Sequence, residues 1–319
     1  MADKSSKSHD SLATFQKLTS RSDVAGLVCV VTGGSSGLGL YASQALALAG
    51  ATVYILGRNT EALDREVKRL ETNAGSGSQG KMRRVVCDVT SKKSLSEAVR
   101  AVSEEQIEGI DVVICNAGVS GRLMKNYGSS GFDIDNFDAM QRELDSFTIE
   151  EAEDIFRTNT LGPYFTATAF LPLLKARVKH YASQPRDKTY VPQIITVSSN
   201  AAHVKYPILN AFYNLSKTSA SQWAHMLSAM LAHSGIRSNT LEPGLYPSAM
   251  TTASPQDVQT GHWSLGDSTN GADLPLGRAG LPHEHASSVL YLCGRGAIFA
   301  NGTTLRVDGG AMQRVPTTN

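Results

Sequence analysis

The 319-residue chain has no long hydrophobic run and almost no imbalance of charge. No stretch approaches the ~20 consecutive apolar residues that a bilayer-spanning helix requires, and the opening MADKSSKSHDSLATF lacks the apolar core of a secretory signal. No membrane or export route is indicated, so a cytoplasmic location is expected. Thirty Lys and Arg against 29 Asp and Glu leave a formal charge of +1, with no block of either sign to hold nucleic acid or anionic lipid. A small molecule is the expected partner. Only four cysteines are present, and no two have C-x-x-C spacing. Cys29, Cys87, Cys115 and Cys293 read as buried thiols of a reducing compartment, without disulfide or metal.

What the chain does have is rhythm. Short β-branched runs alternate with longer helical stretches: strands at Gly26–Thr32, Thr52–Leu56, Arg84–Cys87, Asp111–Cys115, Gln193–Val197, Arg237–Leu241 and Thr304–Val307. Helices are expected between them at Leu38–Leu48, Glu61–Glu71, Ser94–Gln106, Ile149–Leu174, Ala211–His233 and Pro282–Leu292. The strands are continuously apolar, which requires helices on both sheet faces and predicts an α/β, Rossmann-type doubly wound three-layer sandwich with a mainly parallel sheet. A polar arm over residues 1–22, too poor in apolar area to order, and one domain over 23–319 are expected. Residues 73–80 read as a Gly/Ser surface loop. Residues 119–147 form a long connection carrying Tyr127, Phe132, Phe137 and Phe147, readable as a lid or as an excursion that pins its own aromatics.

The first strand runs into Thr32-Gly33-Gly34-Ser35-Ser36-Gly37-Leu38-Gly39 and then a helix. Glycines without Cβ atoms and a positive helix N-terminus suit a pyrophosphate: Gly33 for the turn, Gly37 for close approach, Gly39 for helix–sheet packing. The second strand ends Leu56-Gly57-Arg58-Asn59, where NAD usually meets an acid at its ribose. A guanidinium there suits a 2′-phosphate and predicts NADP (NADPH). Asp88 could accept from the adenine amino group, or cap a helix. On a helix, Tyr213 and Lys217 share one face, so the ammonium, joined by the positive nicotinamide of an oxidised cofactor, is expected to pull the phenol's pKa from about 10 toward the working range and make it a general acid/base.

These segments, taken in order with Asn116-Ala117-Gly118 after the fourth strand, resemble the short-chain dehydrogenase/reductase superfamily in its classical branch. The likeness runs from about Val24 to Met312 and includes Pro243-Gly244, Pro275-Leu276-Gly277-Arg278 and Leu305-Arg306-Val307-Asp308-Gly309-Gly310. The resemblance implies a seven-stranded sheet and a homodimer or homotetramer. It implies catalytic roles for Asn159, Ser199, Tyr213 and Lys217, with Ser198 as the alternative serine. The cofactor would be held by Gly33, Ser35, Ser36, Gly37, Leu38, Gly39, Arg58, Asp88, Asn116, Ala117, Gly118, Tyr213, Lys217, Pro243, Gly244 and Ser248. A substrate loop is implied at 245–274, where Tyr246, Met250 and Trp263 either contact substrate or pin the loop. His283-Glu284-His285 reads as capping or surface residues, not a metal site. The expected activity is NADPH-dependent reduction of a ketone or aldehyde, with secondary metabolism as its expected setting. The alternatives are NAD-linked alcohol oxidation and a non-catalytic dinucleotide sensor or scaffold.

Overall fold

The structure is a computed structural model that describes residues 24–73, 80–124, 136–184, 190–248, 250, 274–315 and 317–318. The expected arm at 1–22, most of the Gly/Ser loop, Tyr127, Phe132, Trp263 and most of the 245–274 segment lie outside the described residues.

Seven strands form one parallel sheet: β1 (Val28–Thr32), β2 (Thr52–Gly57), β3 (Lys81–Val86), β4 (Val112–Cys115), β5 (Gln193–Val197), β6 (Arg237–Pro243) and β7 (Thr304–Val307). Their order is β3-β2-β1-β4-β5-β6-β7. The helices are α1 (Gly37–Leu48), α2 (Thr60–Asn73), α3 (Lys92–Glu105), α4 (Phe137–Asp145), α5 (Ile149–Phe156), α6 (Gly162–Ala182), α7 (Ala211–Met230) and α8 (Pro282–Cys293).

Strand pleating sends alternate residues into two cores. Cys29, Val31, Val53, Ile55 and Ile114 face one layer, where they pack on Ala45 and Leu46 of α1 and Val289 of α8. Val30, Tyr54, Leu56, Val113 and Cys115 face the other, against Leu95 of α3, Phe170 of α6 and Leu227 of α7. Both faces are therefore covered, as the unbroken apolar strands require. Sequence order reverses direction between β1 and β4, and the crevice at their carboxyl ends is where such a sheet receives a ligand.

Two elements differ from expectation. The helix expected over Ile149–Leu174 is broken by a π-helical turn at Arg157–Leu161 and then runs on to Ala182. Pro163 explains the break: it has no N–H for the Asn159 carbonyl four residues earlier, so a regular α-turn cannot close there. Within 119–147 a helix, α4, forms at Phe137–Asp145, started by the Asn136 side chain accepting from the Ala139 N–H at 3.0 Å. Phe147 is pinned, stacked under the Arg122 guanidinium at 3.9 Å and edge-on to Phe212, whereas Phe137 is exposed.

Candidate active site

The turn after β1 is built for close approach. Gly33 and Gly37 both adopt positive φ, +65° and +50°. A Cβ on Gly39 would lie 2.3 Å from both the Asn116 amide and the Gly33 carbonyl, so only glycine lets α1 start this close to the sheet. Thr32 knits the two strand ends together: its hydroxyl accepts from the N–H groups of Asn116 (2.9 Å) and Ala117 (3.0 Å), and its carbonyl from the Asn116 amide (3.0 Å). Ser36, at the start of α1, makes no side-chain cap, and the first turn carries no acid. Those N–H groups and the helix dipole suit a phosphate, so the residues present fit a dinucleotide.

At the carboxyl end of β2, Arg58 is exposed and no carboxylate precedes Glu61. Asp88 is drawn into a local turn, accepting from the Thr90 N–H (2.9 Å) and hydroxyl (2.7 Å). Against the opposing effect of burial, these bonds and the Arg58 charge hold its carboxyl below the usual range. The α3 cap is Ser91, not Asp88.

Tyr213 and Lys217 lie on the first turns of α7, both buried. Asn210 starts this helix by accepting from the Tyr213 N–H at 2.8 Å, while its amide donates to the carbonyls of Ser120 (2.7 Å) and Arg122 (2.9 Å). One cap thus fixes the height of the phenol relative to the β4 loop. Leu209, just before it, sits at φ +67°, a strained backbone for a residue with a Cβ.

In the chain by itself burial raises the phenol's pKa, and the opposing effect comes from a hydrogen bond with Ser199. Lys217 donates to the Val197 carbonyl at 3.1 Å and lies 5.8 Å from the phenol ring centroid, so the joint pull expected of the ammonium and an oxidised nicotinamide belongs to the cofactor-bound state. The same burial pulls the Lys217 ammonium down to about 8.

Of the two serines, Ser198 is turned into the interior, its hydroxyl 2.8 Å from both the Lys217 carbonyl and the Ser221 hydroxyl. Ser199 is the one beside the phenol. Asn159, in the π-turn, reaches out of its helix: its side chain accepts from the Val119 N–H (2.8 Å) and donates to the Val119 carbonyl (2.9 Å) and the Ser216 hydroxyl (3.0 Å). Gly118 lies between the two groups, since a Cβ there would stand 3.2 Å from Asn159 Oδ1 and 3.4 Å from Lys217 Nζ. Ser248 closes over the glycine turn, its Cβ 3.5 Å from where a Gly37 Cβ would be. Gly244 must be glycine, because a Cβ there would lie 2.6 Å from the Asp308 Cβ.

Tyr246 is buried against Gly280 and edge-on to His285, so it pins the chain. Between the two histidines, Glu284 accepts from the Leu281 N–H at 2.6 Å and pairs with Arg278, while His283 is half-buried, in line with the reading of a capping or surface residue. That reading fails for His285, whose ring is buried and whose pKa burial depresses to about 3. The amphipathic period of α8 turns position 285 inward, a signal the local motif obscures. Among the described residues no three His, Cys, Asp or Glu side chains form a metal-holding group.

A family described as enoyl-(acyl carrier protein) reductase matches residues 33–312. The chain belongs to the short-chain dehydrogenase/reductase superfamily, oxidoreductases that bind a nicotinamide dinucleotide. It is 31% identical to the short-chain dehydrogenase/reductase PhomF of Diaporthe leptostromiformis, across 92% of this chain and 94% of that one. It is 27% identical to the rhamnolipids biosynthesis 3-oxoacyl-[acyl-carrier-protein] reductase of Pseudomonas aeruginosa, across 90% and 96%. The solved Pseudomonas aeruginosa RhlG/NADP active-site complex superposes with a TM-score of 0.71 at 25% identity, covering 90% of this chain and 96% of that one.

Proposed function

We propose that the protein is an NADPH-dependent carbonyl reductase that converts a ketone or aldehyde to an alcohol, in secondary metabolism. The observation that carries this reading is the buried Tyr213 phenol beside the Ser199 hydroxyl, one helical turn from Lys217. A tyrosine holds its proton at neutral pH, and the Lys217 charge would ease transfer of that proton to a carbonyl oxygen.

A bound nicotinamide supplies the hydride. Ser199 donates a hydrogen bond to the substrate oxygen and stabilises the charge that develops there. Tyr213 delivers its phenolic proton to that oxygen. Lys217 adds positive charge behind the phenol, and Asn159, whose carbonyl cannot receive the usual helical bond from Pro163, offers a site for a water joining Lys217 to solvent. Gly33 to Gly39 would hold the pyrophosphate of a bound dinucleotide, with Asn116, Ala117, Gly118, Pro243, Gly244 and Ser248 serving the nicotinamide half. Arg58 would pair with a 2′-phosphate, and Asp88 would accept from the adenine amino group. The exposed Leu161, Tyr164, Leu215 and Met226 on α6, α7 and the turn before α6 support assembly as a homo-oligomer.

The test is a carbonyl panel followed by NADPH absorbance, together with fluorescence titrations of NADPH and NADH. The expected result is turnover and tighter NADPH binding, with Arg58→Ala weakening NADPH about tenfold while leaving NADH little changed. Tighter binding of NADH by the wild type would reverse the cofactor assignment, and alcohol oxidation without carbonyl reduction would reverse the direction.

A further inference from the structure

At the carboxyl end of β6 lies a charged cluster that the chemistry above does not use. Glu242 is the next-to-last residue of β6, and it is wholly buried. Its carboxylate has three partners from three elements. Arg306 of β7 donates from Nε and a terminal nitrogen at 3.2 Å each. His203 Nε2 lies 2.9 and 3.0 Å from the two carboxylate oxygens. The Ser221 hydroxyl, one turn beyond Lys217 on α7, donates at 2.9 Å. A buried carboxylate is expensive unless it is paired and fully hydrogen-bonded, and a neutral polar side chain would serve packing here equally well.

Two of these partners lead to opposite sides of Ser199. Ser221 lies 2.8 Å from the Ser198 hydroxyl, and the Ser198 N–H donates to the carbonyl of Leu241, the neighbour of Glu242. On the other side, His203 closes the 3-10 turn Asn200–His203, whose first N–H bonds run back to Ser199: Ala201 donates to its hydroxyl at 3.1 Å and Ala202 to its carbonyl at 3.1 Å. The far face of that turn is held by the chain's end, where the Thr318 N–H donates to the His203 carbonyl at 2.8 Å and Thr317 pairs with Val204. The segment carrying Ser199 is therefore anchored at residues 198 and 203, and both anchors meet on one carboxylate.

We infer that Glu242 is a positioning residue that sets the Ser199 hydroxyl against the Tyr213 phenol, by holding the chain on both sides of Ser199 through Ser221 and His203. This rests on the reading of Ser199 and Tyr213 as the reacting pair. Glu242 touches neither substrate nor cofactor. Its influence reaches the reaction through the hydroxyl it fixes.

The test combines kinetics with a readout that needs no turnover. In protein labelled with carbon-13 at the phenolic carbon of tyrosine, the Tyr213 resonance, assigned by its loss in Tyr213→Phe, reports the hydrogen bond from Ser199 at neutral pH. Glu242→Gln keeps the side chain's shape, and the partly exposed Arg306 can turn to water, so the variant should fold. The resonance is expected to move toward its position in Ser199→Ala, and the double variant to match Ser199→Ala alone. With NADPH and a turned-over carbonyl, kcat should fall about tenfold while the NADPH Kd stays within about twofold. An unmoved resonance in folded Glu242→Gln, or shifts that add in the double variant, would overturn the inference. Should Glu242→Gln not fold, Ser221→Ala and His203→Gln each cut one anchor, and an unmoved resonance in both overturns it equally. A wild type that reduces no carbonyl would sink the proposed function alone, because the resonance still reads the hold of Glu242 on Ser199.

Discussion

Burial acts in opposite chemical senses on Tyr213 and Lys217: it protects the phenol's proton and loosens the ammonium's. The acid is therefore charged with its proton well above neutrality, while its cationic neighbour titrates at about 8. As pH rises through that value the ammonium is lost, so kcat for carbonyl reduction should be level near neutral pH and fall along one limb centred near 8. A pH–rate profile checks this, and Lys217→Arg should abolish that limb. His285 gives a second test. Its folded pKa of about 3 lies below the usual 6.5, so between those values the unfolded chain binds a proton that the fold excludes. Stability should be fully present above about 6.5 and decline as pH falls toward 3. Urea midpoints at neutral and acid pH should separate for the wild type and converge for His285→Leu. Position 285 shows a limit of local reading: the His-Glu-His string suggests a helix start, and the period that turns position 285 inward emerges only over the whole of α8. The choice between Ser198 and Ser199 was likewise open in sequence, because adjacent hydroxyls differ only in which face of the chain they take.

At the scale of elements, the glycine turn and α1 were legible because each glycine has one geometric reason to be there. Gly39 is the sharpest case. A methyl group at this position meets the Gly33 carbonyl and the Asn116 amide, neither able to retreat without moving a strand end. Gly39→Ala should therefore cost roughly 2 kcal/mol of stability or more and weaken dinucleotide binding. Chemical denaturation and a fluorescence titration read the two effects separately. The break in the helix before α6 was less legible. Pro163 was visible, but a proline early in a helical pattern reads equally well as a first-turn residue. Only the tertiary bonds of Asn159 to Val119 and Ser216 show why a widened turn is retained there. In the same way, nothing in the sequence around Glu242, just past the strand expected at Arg237–Leu241, pairs it with Arg306 and His203, which β7 and the 3-10 turn bring to it.

For the molecule as a whole, the parallel three-layer sandwich followed from alternation and continuous apolarity, because right-handed crossovers put helices on both sheet faces, whereas the strand order came only from the structure. What alternation could not supply is the use of the outer helix faces. On α7, Leu215, Met226 and Met230 recur at helical spacing on the exposed side, and Tyr164 of α6 lies beside Trp223 at 4.4 Å. Light scattering after size exclusion should find a dimer or tetramer, with Leu215→Asp shifting it toward smaller species; a monomeric wild type would remove the oligomer from the account.

The central claim is that the Tyr213 phenol hands its proton to the substrate oxygen. A single-turnover measurement of NADPH oxidation by a carbonyl substrate, wild type against Tyr213→Phe at equal cofactor occupancy, tests it most directly. Loss of the hydroxyl should slow the step by about 10²-fold or more without weakening NADPH binding. Equal rates in the two proteins would contradict it.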